Sequence, residues 1–147
     1  MEKSILEKVA EASSYIASKI NRKPRIAVVL GSGLGALADE VIQDRVEIPY
    51  SEIPNFPTSR AEGHGNKLIF GKIYDKDVIM MQGRFHYYEG YDMNEVTLPI
   101  RVFAFLGVES IIISNAAGGI NKSFKLEDLM LITDHINIPR YFSTERS

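Results

Sequence analysis

The chain has 147 residues, 45% of them hydrophobic and 24% charged, with 11 Gly, 6 Pro and no Cys. That composition belongs to one ordinary globular domain and excludes a fibre, a mucin-like stalk and a disulfide scaffold. Seventeen Lys plus Arg against nineteen Asp plus Glu leave a formal charge of -2, so no basic excess exists to neutralise a run of phosphates, and nucleic acid is not an expected partner.

From Ser4 to Ile20, the residues Ile5, Val9, Ala12, Ile16 and Ile20 recur at steps of three and four, the spacing of one apolar helix face. Asn21 and Pro24 end that helix. Arg25 to Leu30 is a short β-branched run that stops at a glycine cluster, the pattern of a buried strand entering a tight turn. Ala36 to Ile42 predicts a short helix and Arg45 to Tyr50 a strand, followed by loop or edge around Pro49, Pro54 and Pro57. Asn66 to Ile73 and Asp77 to Gln82 flank Tyr74-Asp75-Lys76, the layout of a hairpin. Asp92 with Glu95 forms a capping-box signature before a helical stripe of Val96, Ile100, Phe103 and Leu106 that ends near Gly107. Pro99 should kink this helix or mark its first turn. Glu109 to Ser114 and Leu129 to Thr133 predict two further buried strands.

No repeat, linker or low-complexity run separates these elements, so a single domain is expected. Alternating strands and helices place it in the α/β class, with a mixed, largely parallel sheet flanked by helices. In such sheets ligands gather beyond the carboxyl ends of the strands. The loops there are Gly31-Ser32-Gly33-Leu34-Gly35, the stretch from Gly83 to Tyr91, and Asn115-Ala116-Ala117-Gly118-Gly119. No window approaches the ~18 apolar residues needed to span a bilayer. The first residues mix acids into their apolar positions. A cytoplasmic location without a membrane partner is therefore expected.

A glycine turn leaving a strand lets backbone N–H groups approach an anion, and Ser32 adds a hydroxyl. The same loop also serves as a plain tight turn. It further matches a dinucleotide pattern through Gly31, Gly33 and Ala36, with Glu52 as the ribose acceptor, but the short helix and the crowded prolines speak against that. Arg84 and His86 lie two apart in an extended loop, so both side chains reach one side, where a guanidinium grips two phosphate oxygens and an imidazole adds a donor. The bland alternative is a surface ion pair and a packed ring. Glu89, three residues on, can orient His86 and favour its charged form, and Tyr88 offers a flat face with a hydroxyl tip suited to a sugar. Backbone amides near Ala116 can donate to the same anion, and His64, between Gly63 and Gly65, is a further contact for an anion or hydroxyl. His135 reads as structural, at the end of a strand. Three histidines separated by 22 and 49 residues have no paired-ligand spacing, so no metal is expected.

Read together, VVLGSGLGALAD, EGHGNKLIFG, MQGRFHYYEGY, SNAAGGIN and LMLITDHIN resemble the purine nucleoside phosphorylases of the trimeric type, in the family's order, from about Ile5 to Asn137. The resemblance implies attack of inorganic phosphate on the anomeric carbon of a purine ribonucleoside or deoxyribonucleoside, releasing the base and a pentose 1-phosphate. It implies no metal or organic cofactor, phosphate being a co-substrate, and a homotrimeric parent assembly. Carried over residue by residue, it gives Ser32, His64, Arg84, His86 and Ala116 to phosphate, Tyr88 to the ribose, and His86 the catalytic place.

The resemblance covers roughly the first half of a family member. It divides the chain into 1–137, the phosphate-binding portion, and 138–147, a tail unlike the family, as a shift of reading frame or a shortened chain would produce. By the same resemblance, the other half holds the Glu and Asn that grip the purine, another phosphate Ser, and a His and Met around the ribose. Three readings follow: a phosphorylase of doubtful activity as an isolated chain, a non-catalytic remnant that binds phosphate or a full-length partner, and a methylthioadenosine phosphorylase. A half-sheet also leaves apolar faces and an edge uncovered, so association, aggregation or marginal stability is expected.

Overall fold

The computed structural model describes residues 3–41, 43–57 and 65–136. Eight elements follow in chain order: α1 (Ile5–Lys19), β1 (Ile26–Val29), α2 (Leu37–Val41), β2 (Gln43–Pro49), β3 (Lys67–Ile73), β4 (Lys76–Gln82), α3 (Met93–Phe105) and β5 (Ser110–Ile113), with single 3-10 turns at Tyr50–Glu52 and Tyr87–Glu89.

Both long helices start on reciprocal caps. The Ser4 hydroxyl accepts from the Glu7 N–H at 3.3 Å, and the Ser4 N–H donates to the Glu7 carboxylate at 2.7 Å. The Ser4 N–H, and with it the Ser4 hydroxyl donating at 2.9 Å, hold the Glu7 carboxyl below its ordinary range. Asp92 and Glu95 repeat the arrangement at α3, at 2.8 and 2.9 Å. Pro99 is not in the first turn. It lies buried inside α3, where its missing N–H leaves the Glu95 carbonyl without the usual helical donor.

The sheet runs β2-β3-β4-β1-β5. Ladders β2–β3 and β3–β4 are antiparallel, joined at the hairpin by Tyr74-Asp75 with Tyr74 at φ 48°, whereas β4–β1 and β1–β5 are parallel. The sheet is therefore mixed, and its parallel part lies where the three glycine-rich loops emerge. Strand residues alternate between two cores. Ala27, Val29, Leu68, Phe70, Ile79 and Met81 pack with α1 and α3, while Ile69, Val78 and Met80 pack with Leu30 and Ala38 on the α2 side. Because β4 is covered on both faces, its run Val78 to Met81 is apolar without alternation.

Three sequence expectations need correction. β5 forms as a strand, but all four of its residues are exposed. Leu129 to Thr133 forms no strand, and its residues are exposed. His135 is exposed as well, and with no strand before it, it has no structural place at a strand end. Apolar β-rich composition sets a preference for a covered strand, but a ladder and a covering layer must be supplied by other elements; among the described residues β5 has its ladder to β1 but no covering layer, and Leu129 to Thr133 has neither. Tyr50 leaves β2 and enters the 3-10 turn, fully buried.

Candidate functional site

Parallel pairing puts the carboxyl ends of β4, β1 and β5 side by side. Val29 stands opposite Met81 on one side and Ile113 on the other. Ser32, Arg84 and Ala116 are therefore each three residues beyond the same row of the sheet. The three loops that carry them meet at Ser114. Its N–H and hydroxyl both donate to the Val29 carbonyl, each at 3.1 Å, and the hydroxyl accepts from the Gly31 N–H at 2.9 Å. Its carbonyl accepts from Arg84 Nη1 at 2.9 Å.

Gly31 is required by proximity. A Cβ at that position would fall 2.6 Å from the Ser114 carbonyl oxygen, inside any real contact, so only glycine lets the first loop close on the end of β5. Gly33, at φ 84°, then turns the chain back in the left-handed region, and the Leu34 N–H bonds the Gly31 carbonyl at 3.1 Å. The loop is fixed from the β4 side as well, where Gln82 Nε2 donates to the Gly35 carbonyl at 2.9 Å.

The second loop is anchored from below. Phe85 is buried and lies with its ring 5.1 Å from Tyr50, 6.3 Å from Phe56 and 6.1 Å from Tyr91. The Tyr50 hydroxyl donates to the Gly83 carbonyl at 2.7 Å, and Gly83 takes φ 97°. With Phe85 pinned into the core, its neighbours Arg84 and His86 emerge on the opposite side of the extended segment, half-buried. Burial pushes the Tyr50 phenol far above its ordinary range, so it stays protonated and can donate.

Arg84, His86 and Glu89 form a chain of bonds. Arg84 Nε donates to His86 Nε2 at 3.1 Å, and His86 Nδ1 lies 2.7 Å from Glu89 Oε1, which also accepts the His86 backbone N–H at 3.1 Å. A guanidinium only donates, so Nε2 accepts and the ring proton sits on Nδ1, toward Glu89. Donation from Nε2 to an anion requires a proton on that nitrogen and the breaking of the Arg84 Nε–H to Nε2 hydrogen bond, the guanidinium staying charged. Two of the five guanidinium N–H groups are committed to His86 and Ser114 among the described residues, which leaves three for a ligand. Tyr88 stacks on His86 with centroids 4.7 Å apart and planes 20° from parallel, its ring largely exposed.

The structure thus brings Arg84, His86 and Tyr88 into one cluster and sets Ser32 and Ala116, both exposed, at the neighbouring strand ends. His64 and the tail at 138–147 lie outside the described residues. The dinucleotide alternative loses its frame: β2 is antiparallel at the far edge, and the Glu52 carboxylate accepts the Tyr15 hydroxyl at 3.0 Å. Sequence reasoning missed Ser114, Gln82 and Tyr50. A polar residue closing an aliphatic strand, as Ser114 does after three isoleucines, was the available signal. Gln82 and Tyr50 act through folded contacts that have no local signature.

The family model described as the phosphorylase superfamily matches residues 25–146. Purine nucleoside phosphorylase 1 of Geobacillus stearothermophilus is 53% identical over 129 residues, covering 88% of this chain and 47% of that protein. The purine nucleoside phosphorylase of Bos taurus is 47% identical, covering 92% of this chain and 46% of its own length. Among solved structures, a purine nucleoside phosphorylase in complex with ribose-1-phosphate superposes with a TM-score of 0.79 at 47% identity, over 86% of this chain and 47% of the other. The Schistosoma mansoni enzyme in complex with inosine gives 0.76 at 47% identity, over 84% and 42%. The chain spans about half the length of the curated relatives it matches.

Proposed function

Because this chain belongs to the phosphorylase superfamily, we propose that it is the phosphate-holding portion of a purine nucleoside phosphorylase, a pentosyltransferase that cleaves the N-glycosidic bond of purine ribonucleosides or deoxyribonucleosides with inorganic phosphate. The observation that carries this reading is the shared row: Ser32, Arg84 and Ala116 stand at equal distance in sequence beyond adjacent parallel strands, and the Arg84 guanidinium keeps N–H groups uncommitted among the described residues. The relatives' names and the ribose-1-phosphate and inosine complexes of the neighbours support the choice of substrates.

In this reading the Ser32 hydroxyl, the guanidinium of Arg84 and the amide of Ala116 surround the phosphate, with His64 at its edge. His86, oriented by Glu89, takes up a proton and donates from Nε2 to a phosphate oxygen. Tyr88, stacked on that ring, meets the ribose. The bound anion attacks the anomeric carbon as the bond to the base breaks, and its negative charge stabilises the oxocarbenium character that develops on the sugar. Phosphate is itself the nucleophile, so the reaction calls for no metal or organic cofactor. A homotrimer in the cytoplasm is part of the same proposal, carried by the family resemblance. Among the described residues no helix is long and apolar enough to cross a membrane.

The purine contacts that the resemblance implies lie beyond those assigned to this chain, so phosphate binding is expected ahead of turnover. Calorimetric titration with inorganic phosphate, paired with an assay of hypoxanthine release from inosine, tests the reading. Saturable binding lost in Arg84→Ala, with any base release strictly dependent on phosphate, supports it. Base release that proceeds equally without phosphate contradicts it.

A further inference from the structure

Gln82, the last residue of β4, follows Met80 by two and so faces the α2 side of the sheet, beside the turn that carries Ser32. Its side chain lies between two glycines. Nε2 donates to the Gly35 carbonyl at 2.9 Å, and the same carbonyl accepts the Ala38 N–H at 3.3 Å. On the other side Gly65 comes so near that a Cβ there would fall 2.5 Å from Oε1. Oε1 is buried, with no hydrogen-bond partner among the described residues. A buried acceptor without a donor costs stability, and a methionine of like length would fill the same space without that cost. What the carboxamide alone supplies is the N–H held against Gly35.

We propose that Gln82 is a positioning residue for the anion, fixing the far end of the Gly31–Gly35 turn and so aiming Ser32 while touching no ligand itself; the inference rests on the phosphate reading above. Two side chains tie the turn from outside among the described residues. The Ser114 hydroxyl accepts the Gly31 N–H at 2.9 Å, beyond the end of β5, and Gln82 holds Gly35 from β4. Ser32 and Gly33, both exposed, stand between these ties. Without the second tie the turn can pivot about Gly31, and Ser32 loses its fixed place relative to Arg84. Because Gln82 and Arg84 leave the same strand end two residues apart, this bond sets the first loop against the second without passing through β5.

Phosphate is titrated by calorimetry into the full chain and into Gln82→Met and Gln82→Glu, at pH 8 and pH 5. Each variant is compared with the wild type at the same pH, which cancels the titration of phosphate and of His86. Gln82→Met has no donor and should bind about three- to ten-fold more weakly at both pH values, the worth of one neutral hydrogen bond. Gln82→Glu should be at least as weak at pH 8, where a carboxylate has no proton to donate. At pH 5 the carboxyl, its pKa raised by burial, takes one up, and affinity should return to within about two-fold of wild type. The charged neighbours, Lys67 across the β3 ladder and Arg84, are the same in both variants. In amide spectra of Gln82→Met the Arg84 Nε signal should still move with phosphate, while Ser32 and Gly33 lose most of their shift. Wild-type affinity in Gln82→Met, parallel loss of all three signals, or a Gln82→Glu equally weak at both pH values would overturn the proposal and leave the phosphate reading intact. Should Gln82→Met fail to fold, the two pH values of Gln82→Glu decide. A wild-type chain that binds no phosphate would overturn both.

Discussion

Arg84 donates to the carbonyl of Ser114 at 2.9 Å, across a gap of 30 positions and between two strands that do not touch each other. Ser114 also holds Gly31, so one residue at the end of β5 fixes the relative positions of all three loops. The guanidinium is oriented before any ligand arrives, and the ordering cost of this long side chain is largely met within the fold.

Arg84→Ala should therefore do more than delete a charge. Hydrogen bonds to charged groups are worth about 1.5–3 kcal/mol, or roughly 10- to 100-fold in affinity. Phosphate affinity should fall by at least that factor, as measured by calorimetry, while circular dichroism shows the helices retained. Arg84→Lys should recover only part of the loss, because an ammonium cannot hold Ser114 and a ligand in one plane.

Gly31→Ala places a methyl group against backbone atoms of Ser114 and Asn115, which cannot move aside as a flexible side chain would. The variant should lose about 1–3 kcal/mol of stability in urea unfolding and should bind phosphate poorly. Gly33→Ala, at φ 84° with nothing within 4 Å of the added carbon, should show backbone strain alone and a smaller loss of about 1 kcal/mol.

The bond pattern fixes the tautomer of the neutral His86 ring. Ring nitrogen NMR should find Nδ1 protonated and Nε2 accepting in the wild-type chain. Glu89→Ala removes the acceptor at 2.7 Å and should give a mixture of tautomers, with phosphate binding weakened about three- to ten-fold, the worth of one ordinary hydrogen bond. An unchanged tautomer in Glu89→Ala would show that Arg84 alone orients the ring.

Tyr50 sets an alkaline limit on stability. Its folded-state pKa is raised by burial, and the unfolded phenol titrates near ~10. The protonated hydroxyl therefore contributes fully below about pH 10, and the contribution is lost as pH rises above that value, by up to about 1.4 kcal/mol per pH unit. Tyr50→Phe should lose about 1–3 kcal/mol at neutral pH, since the Gly83 carbonyl is left buried without its donor. It should also flatten the alkaline limb in urea titrations between pH 9 and 11.

Much of this was legible in the sequence, and the reason is locality. The caps at Ser4 and Asp92, the hairpin around Tyr74 and the stripe of α1 rest on neighbours within a few positions, and each formed close to where its pattern ran. The exposure of β5 and of Leu129 to Thr133 was not legible, because an aliphatic run states a preference for burial and only another element can satisfy it. At the site, the alternation of Arg84, Phe85 and His86 was readable from period two. Ser114 as the common tie was not, since its partners are 30 to 85 residues away.

The central claim is that the turns after β1, β4 and β5 hold one phosphate between them. Titrating inorganic phosphate into isotope-labelled chain, with amide shifts read at Ser32, Gly33 and Ala116 and the side-chain Nε signal of Arg84, tests it most directly. All four should move along one saturation curve with a single Kd. Shifts at Arg84 without Ser32 and Ala116, or separate curves for the three turns, would contradict it.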